Sequence, residues 1–295
     1  MRIAIVFAVL GLLAKRIGDI GWPEIARNLP GSAAFFVIFA LHYFVQPIGE
    51  YIIYRYLWSL KRRSDFTIFM RKRVFNAAVV AYSGEAMLYL WAQAKPELKP
   101  YRKLSNIKDN LILSALVSNG LTVIMVLFFM MTSQMERFFH VAPDVQLYIV
   151  VAAIIAILLT VTVIRFRSTI LEISAKQTRT IFGVHSIRIL IAFALQVAMW
   201  ATALPMVPLE TWLVLVTLQL VLTRIPFLPN QDLIFLGLVL SISSFLEASD
   251  QAVAGAFLMI GALTQVSHLF SFLATTFAGA RLDTFRALSA QQPTR

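Results

Sequence analysis

The sequence predicts an all-α, polytopic integral membrane protein of about eight transmembrane helices with one or two re-entrant hairpins. Three observations predict it. Of the 295 residues, 59% are hydrophobic and 14% charged, against about 45–50% and about 25% in soluble domains. The mean hydropathy is +0.77. Several apolar runs are long enough to cross the roughly 30 Å hydrocarbon layer of a bilayer. This much apolar surface also excludes a disordered chain.

Residues 3–18, 33–60, 110–131, 147–164, 183–204 and 253–278 read as spans. The first resembles a secretory signal, but Lys15 and Arg16 stand where small cleavage-site residues belong, so it reads as an uncleaved span. Two further runs, 211–223 and 233–246, would each reach only about 20 Å as helices. They flank a turn with Pro226 and Pro229, which disfavour helix. This stretch is either two spans joined by a cytoplasmic turn or a hairpin dipping in from outside. No soluble domain interrupts the runs, so residues 1–295 form a single membrane domain.

Charge supplies the orientation. The formal charge is +11 and the pI about 10.2, which in a polytopic protein points to basic loops facing anionic headgroups rather than to nucleic acid. Lys61, Arg62, Arg63, Arg71, Lys72 and Arg73 read as one basic loop. Lys95, Lys99, Arg102, Lys103 and Lys108 read as the next, and Arg165, Arg167, Lys176 and Arg179 as a third. The positive-inside rule puts these and both termini on the cytoplasmic side of the membrane. The run 74–91, broken by Asn76, Ser83, Gly84 and Glu85, lies between two such loops. A full crossing would place one of them outside, so it reads as a re-entrant hairpin that breaks at Ser83-Gly84. A helix lying flat in the interface is the alternative.

Ionisable groups inside a bilayer cost about 2.5–3.5 kcal/mol each, so each needs a reason. Glu85 at the hairpin tip can meet a cationic headgroup or a proton, or pair with an arginine. Arg224 can take a phosphate through its planar fork, or pair with Asp232 across the proline turn. Glu85, Gly84, Arg224 and Asp232 are the candidate substrate-binding residues. Glu50, Asp109, Asn119 and Arg188 are supporting candidates. Glu50 stands one turn from Gln46 beside a helix kink expected at Pro47. Arg188 shares a helix face with His185 and is expected to snorkel toward headgroups.

Catalytic signatures are lacking: the sequence has no P-loop, no G-x-S-x-G and no H-E-x-x-H, so an enzyme is not expected. The four histidines have no metal-ligand spacing and there is no cysteine, so neither metal nor cofactor is expected.

The segments Tyr54-Arg55-Tyr56-Leu57-Trp58, Ser83-Gly84-Glu85 and Lys108-Asp109-Asn110-Leu111, in that order and separated by basic stretches, resemble the transmembrane region of lysylphosphatidylglycerol synthase and flippase proteins. Gly84-Glu85 and Asp109 match the family's Gly-Glu and later Asp. Leu88 stands where the family has arginine, and the segment around Pro229 lacks the family's glycines. The resemblance implies handling of a phospholipid or polyprenyl-phosphate headgroup, with membrane lipids as partners. Two other roles stay open: a non-transporting subunit that scaffolds a glycosyl- or aminoacyl-transferase, and a small-solute secondary transporter. A homo-oligomer or a membrane enzyme partner is compatible with each.

Overall fold

A computed structural model describes residues 22–60, 65–78, 82–94, 100–131, 140, 145–224, 231–242 and 246–290. Among these residues the chain is helical, without strands. The helices are α1 (Trp22–Arg27), α2 (Ala33–Trp58), α3 (Phe66–Ala78), α4 (Ser83–Gln93), α5 (Pro100–Met130), α6 (Val145–Arg165), α7 (Arg167–Ile170), α8 (Ala175–Ala203), α9 (Leu209–Leu222), α10 (Gln231–Ser241) and α11 (Asp250–Ala290). Four of them contain segments long and apolar enough to cross a membrane: Ala33–Trp58, Arg102–Met130, Ala175–Ala203 and Asp250–Phe277. The span read at 3–18 lies outside the described residues.

Local chemistry sets the helix ends. Ser32 caps α2 by accepting from the Phe35 amide at 3.2 Å, and Ser59 ends that helix in the left-handed region at φ 51°. Ser174 and Gln177 form a reciprocal capping box that opens α8, satisfying two amides that a helix start leaves unpaired. Helix α2 runs without interruption through Pro47.

Helix α8 packs along α2 and also touches α5 and α9, while α5 carries α6, α4 and α9 on its other sides. Helices α3 and α4 form an antiparallel pair, and α3 also packs on α2 and α11. Side chains on α2 divide by face. Phe35, Phe39, Tyr43, Pro47, Glu50 and Tyr54 are buried, whereas Val37, Leu41, Phe44, Ile48 and Ile52 are exposed. Leu158, Val161 and Ile164 of α6 and Val266, Leu269 and Phe270 of α11 are exposed as well. Apolar surface this extensive belongs against lipid, not water.

The largest core joins α8, α9, α10 and α11. Trp200 packs against Trp212, Phe235 and Phe257 with ring centroids 5.8, 5.6 and 5.4 Å apart. A smaller core of Tyr54, Trp58, Phe69, Leu88 and Ala92 seals α2, α3 and α4.

Two expectations need correcting here. Arg71, Lys72 and Arg73 are not loop residues: they lie inside α3, and Lys72 is only 2% exposed. Each has partners inside the fold, which relieves the solvation requirement that makes such residues read as loop. The break in the hairpin also comes earlier than Ser83-Gly84. Helix α3 ends at Ala78, Tyr82 adopts φ 69°, and Ser83 and Gly84 already belong to α4.

Candidate functional site

The three consecutive basic residues of α3 fan out because successive side chains on a helix point about 100° apart. Arg71 donates to the Thr275 and Thr276 hydroxyls of α11 at 3.2 and 2.9 Å. Arg73 donates to Gln46 Oε1 at 3.1 Å and lies 4.5 Å over the Tyr43 ring of α2. Tyr43 Oη in turn meets His268 Nδ1 at 2.9 Å and Ser271 Oγ at 3.2 Å, tying α2 to α11. Lys72, between the two arginines, turns inward. Its Nζ ion-pairs with Glu50 Oε2 of α2 and, at 3.1 Å, with Glu85 Oε1 of α4.

Gly84 makes that meeting possible. Its amide donates to Asn76 Oδ1 at 2.7 Å, and Ser83 Oγ donates to the Phe75 carbonyl at 2.7 Å. A Cβ at position 84 would collide with the Lys72 carbonyl oxygen and stand 2.8 Å from Asn76 Oδ1. Only glycine lets α3 and α4 approach this closely, and the approach brings Glu85 to Lys72.

Helix α5 supplies the facing wall. Asn110, Ser114 and Ser118 recur every four residues, a slanted polar row that covers about 12 Å of the helix. Asn110 Nδ2 donates to Tyr54 Oη at 3.4 Å, leaving its Oδ1 to accept from His185 Nε2 at 2.9 Å. One turn on, Arg188 donates to Ser114 Oγ at 3.1 Å and stands within electrostatic reach of Glu50. Arg188 therefore points into the bundle and does not snorkel outward. The next turn receives Arg224, which donates to Asn119 Oδ1 at 2.7 Å and Ser118 Oγ at 2.5 Å. It also donates to Thr223 Oγ1 at 2.8 Å and the Leu220 carbonyl at 3.3 Å. These bonds occupy four of its five N–H groups.

The structure thus gathers Glu50, Glu85, Gly84 and Arg188 around Lys72. Arg224 and Asn119 pair with each other farther along α5. Arg224 still lies within electrostatic reach of Tyr82, the residue before α4. Asp232 falls in the first turn of α10, and its side chain lies outside the described residues.

Asp109 has a different neighbourhood. It is fully buried, its Oδ2 accepts from the Glu172 and Ile173 amides at 2.8 and 2.9 Å, and Lys108 lies 3.5 Å from its Oδ1. Lys108 also holds the Ile170 carbonyl and Glu172. Together they latch the start of α5 to the segment that opens α8.

Lys72, Tyr54 and Asn110 are the members that sequence reasoning missed. The available signal was a lysine placed between two arginines with carboxylates on both neighbouring apolar segments. Three polar atoms of this cluster are buried without a hydrogen-bond partner: Glu85 Oε2, His185 Nδ1 and Arg188 Nε. Such groups are rare in folded proteins, and each calls for a physical reason such as a bound water or ligand. Among the described residues no three His, Cys, Asp or Glu side chains converge as metal ligands.

No family model matches this chain, and no curated protein or solved structure does either.

Proposed function

We propose that the chain is a translocase for a lipid or lipid-linked headgroup, with Glu85 and Gly84 at the substrate site and Arg224 on its far wall. One observation carries the reading. A charged cluster built from five helices is buried within an apolar bundle, and one acceptor and one donor in it, Glu85 Oε2 and Arg188 Nε, have no partner. An unpaired buried polar group costs about 1–3 kcal/mol, and here a carboxylate oxygen and a guanidinium N–H in one charged cluster both await a partner. A headgroup crossing the bilayer loses its water and needs such groups to replace it. The sequence resemblance to flippase-like membrane proteins supports the same reading. Cytoplasmic termini, a re-entrant α3–α4 hairpin and eight crossings belong to this proposal.

The scaffolding role has its own support in the Lys72 bridge, which locks three helices together. Glu85→Gln separates the two roles. A translocase variant keeps its expression and thermal stability but moves fluorescent phospholipid between the leaflets of reconstituted liposomes at least tenfold more slowly. A variant that unfolds at markedly lower temperature, or that moves lipid at the wild-type rate, overturns the assignment of Glu85 as a substrate residue.

A further inference from the structure

The charges that meet at Lys72 balance. Lys72 and Arg188 stand against Glu50 and Glu85, and the other ionisable groups nearby are engaged elsewhere. From α3, Arg71 and Arg73 turn to α11 and to Gln46. From α5, Lys103 reaches the Gln93 carbonyl at 3.4 Å, while Lys108 and Asp109 hold the segment before α8. From α2, Tyr54 lies within electrostatic reach of both glutamates, and its hydroxyl receives Asn110 Nδ2. From α8, His185 donates through Nε2 to Asn110, so its neutral ring carries a lone pair on Nδ1.

An anion arriving in this balanced set leaves an uncompensated negative charge in a low-dielectric interior, which is strongly unfavourable. One proton removes the problem. The two glutamates are not equivalent acceptors for it: Glu50 is held close by Lys72 and faces Arg188, whereas Glu85 Oε2 is buried and unpartnered. We propose that Glu85 is the proton acceptor of this cluster, so that a lipid headgroup carrying one phosphodiester charge binds together with one proton, while a zwitterionic headgroup binds without one. This rests on the translocase reading and adds a substrate-dependent proton stoichiometry to it. The proton adds to Glu85 Oε2 and converts the carboxylate to a neutral acid. Lys72 stays with Glu50. The Arg188 Nε–H and the third N–H of Lys72 then face the phosphodiester, and the cluster returns to zero net charge.

The test uses the full chain in phosphatidylcholine nanodiscs, with fluorescent phosphatidylglycerol or phosphatidylcholine as probe, from pH 5 to 8 in weak buffer with a proton-sensitive dye. One proton is taken up per phosphatidylglycerol bound. Its affinity rises on acidification by up to about tenfold per pH unit, because binding is linked to one proton. Phosphatidylcholine binding is flat. Glu85→Gln carries the neutral form permanently, so it binds phosphatidylglycerol without proton uptake and without a pH slope. Wild-type protein that binds and moves phosphatidylglycerol with no proton uptake overturns the proposal and leaves the translocase reading standing. Retention of the full slope in Glu85→Gln overturns it as well. A soluble glycerophosphodiester tested in parallel, if it binds with one proton and the lipid does not, keeps the proton site and removes the lipid reading. Wild-type protein that binds no probe removes both. Should Glu85→Gln fail to fold, the proton count on the wild-type protein decides alone.

Discussion

Helix α8 passes through two neighbourhoods built on opposite plans. In its first half, His185 and Arg188 enter a polar cluster in which each group depends on particular partner atoms. About 18–22 Å farther along, Trp200 enters an aromatic core with Trp212, Phe235 and Phe257, where contact is extensive and non-directional. The aromatic core gains its stability from area and packing. The polar cluster gains little net stability from its ion pairs, because desolvation offsets their attraction, but it loses heavily when Lys72, the cation both carboxylates share, is removed. One region is thus robust and the other exacting: the first leaves only Trp212 Nε1 among its described polar side-chain atoms buried without a partner, the second Glu85 Oε2, His185 Nδ1 and Arg188 Nε.

The largest expected effect tests that asymmetry. Lys72→Met leaves Glu50 and Glu85 buried together without their cation and should destabilise the protein by about 4 kcal/mol. The check is equilibrium unfolding in detergent. Adding Glu85→Gln to the same chain should restore most of the loss, since Glu50 then faces Arg188 alone and the cluster is again balanced. A milder effect is expected in the aromatic core. Trp212→Ala opens a cavity at a fully buried position and should cost about 3 kcal/mol by the same measurement, while Trp212→Phe should cost much less. A similar tolerance of conservative change at Lys72, for example a Lys72→Arg variant with unaltered stability and activity, would erase the contrast between the regions. The smallest effect lies outside both. Ser174→Ala removes the capping box of α8 and should lower stability by about 1 kcal/mol, without changing lipid binding.

Much of this architecture was legible in the sequence, because long apolar runs with few charges have few alternatives to helix. The runs at 33–60, 110–131, 183–204 and 253–278 correspond to α2, α5, α8 and α11. Glu85, Glu50 and Arg188 were legible as polar residues in apolar surroundings, and Gly84 as a break in an apolar run. Their convergence was not, since it depends on how α3 packs against α2 and α4. Arg71-Lys72-Arg73 misled for a physical reason. A run of three cations reads as solvated until each is known to have a partner, and those partners lie 13 to 205 positions away. Asp109 was legible as a site residue, but its two backbone partners at 172 and 173 show a latch that spacing alone does not reveal.

The fan of basic side chains on α3 also constrains how the protein is made. A helix carrying three adjacent cations partitions poorly into a bilayer by itself, at about 2.5–3.5 kcal/mol for each charge near the centre. Helix α2 emerges from the ribosome before α3 and can neutralise Lys72 through Glu50 and receive Arg73 at Gln46. Arg71 has its partners at Thr275 and Thr276, near the far end of the chain. Arg71 can therefore reach these partners only when synthesis is nearly complete. A chain truncated before α11 would leave α3 docked on one side only.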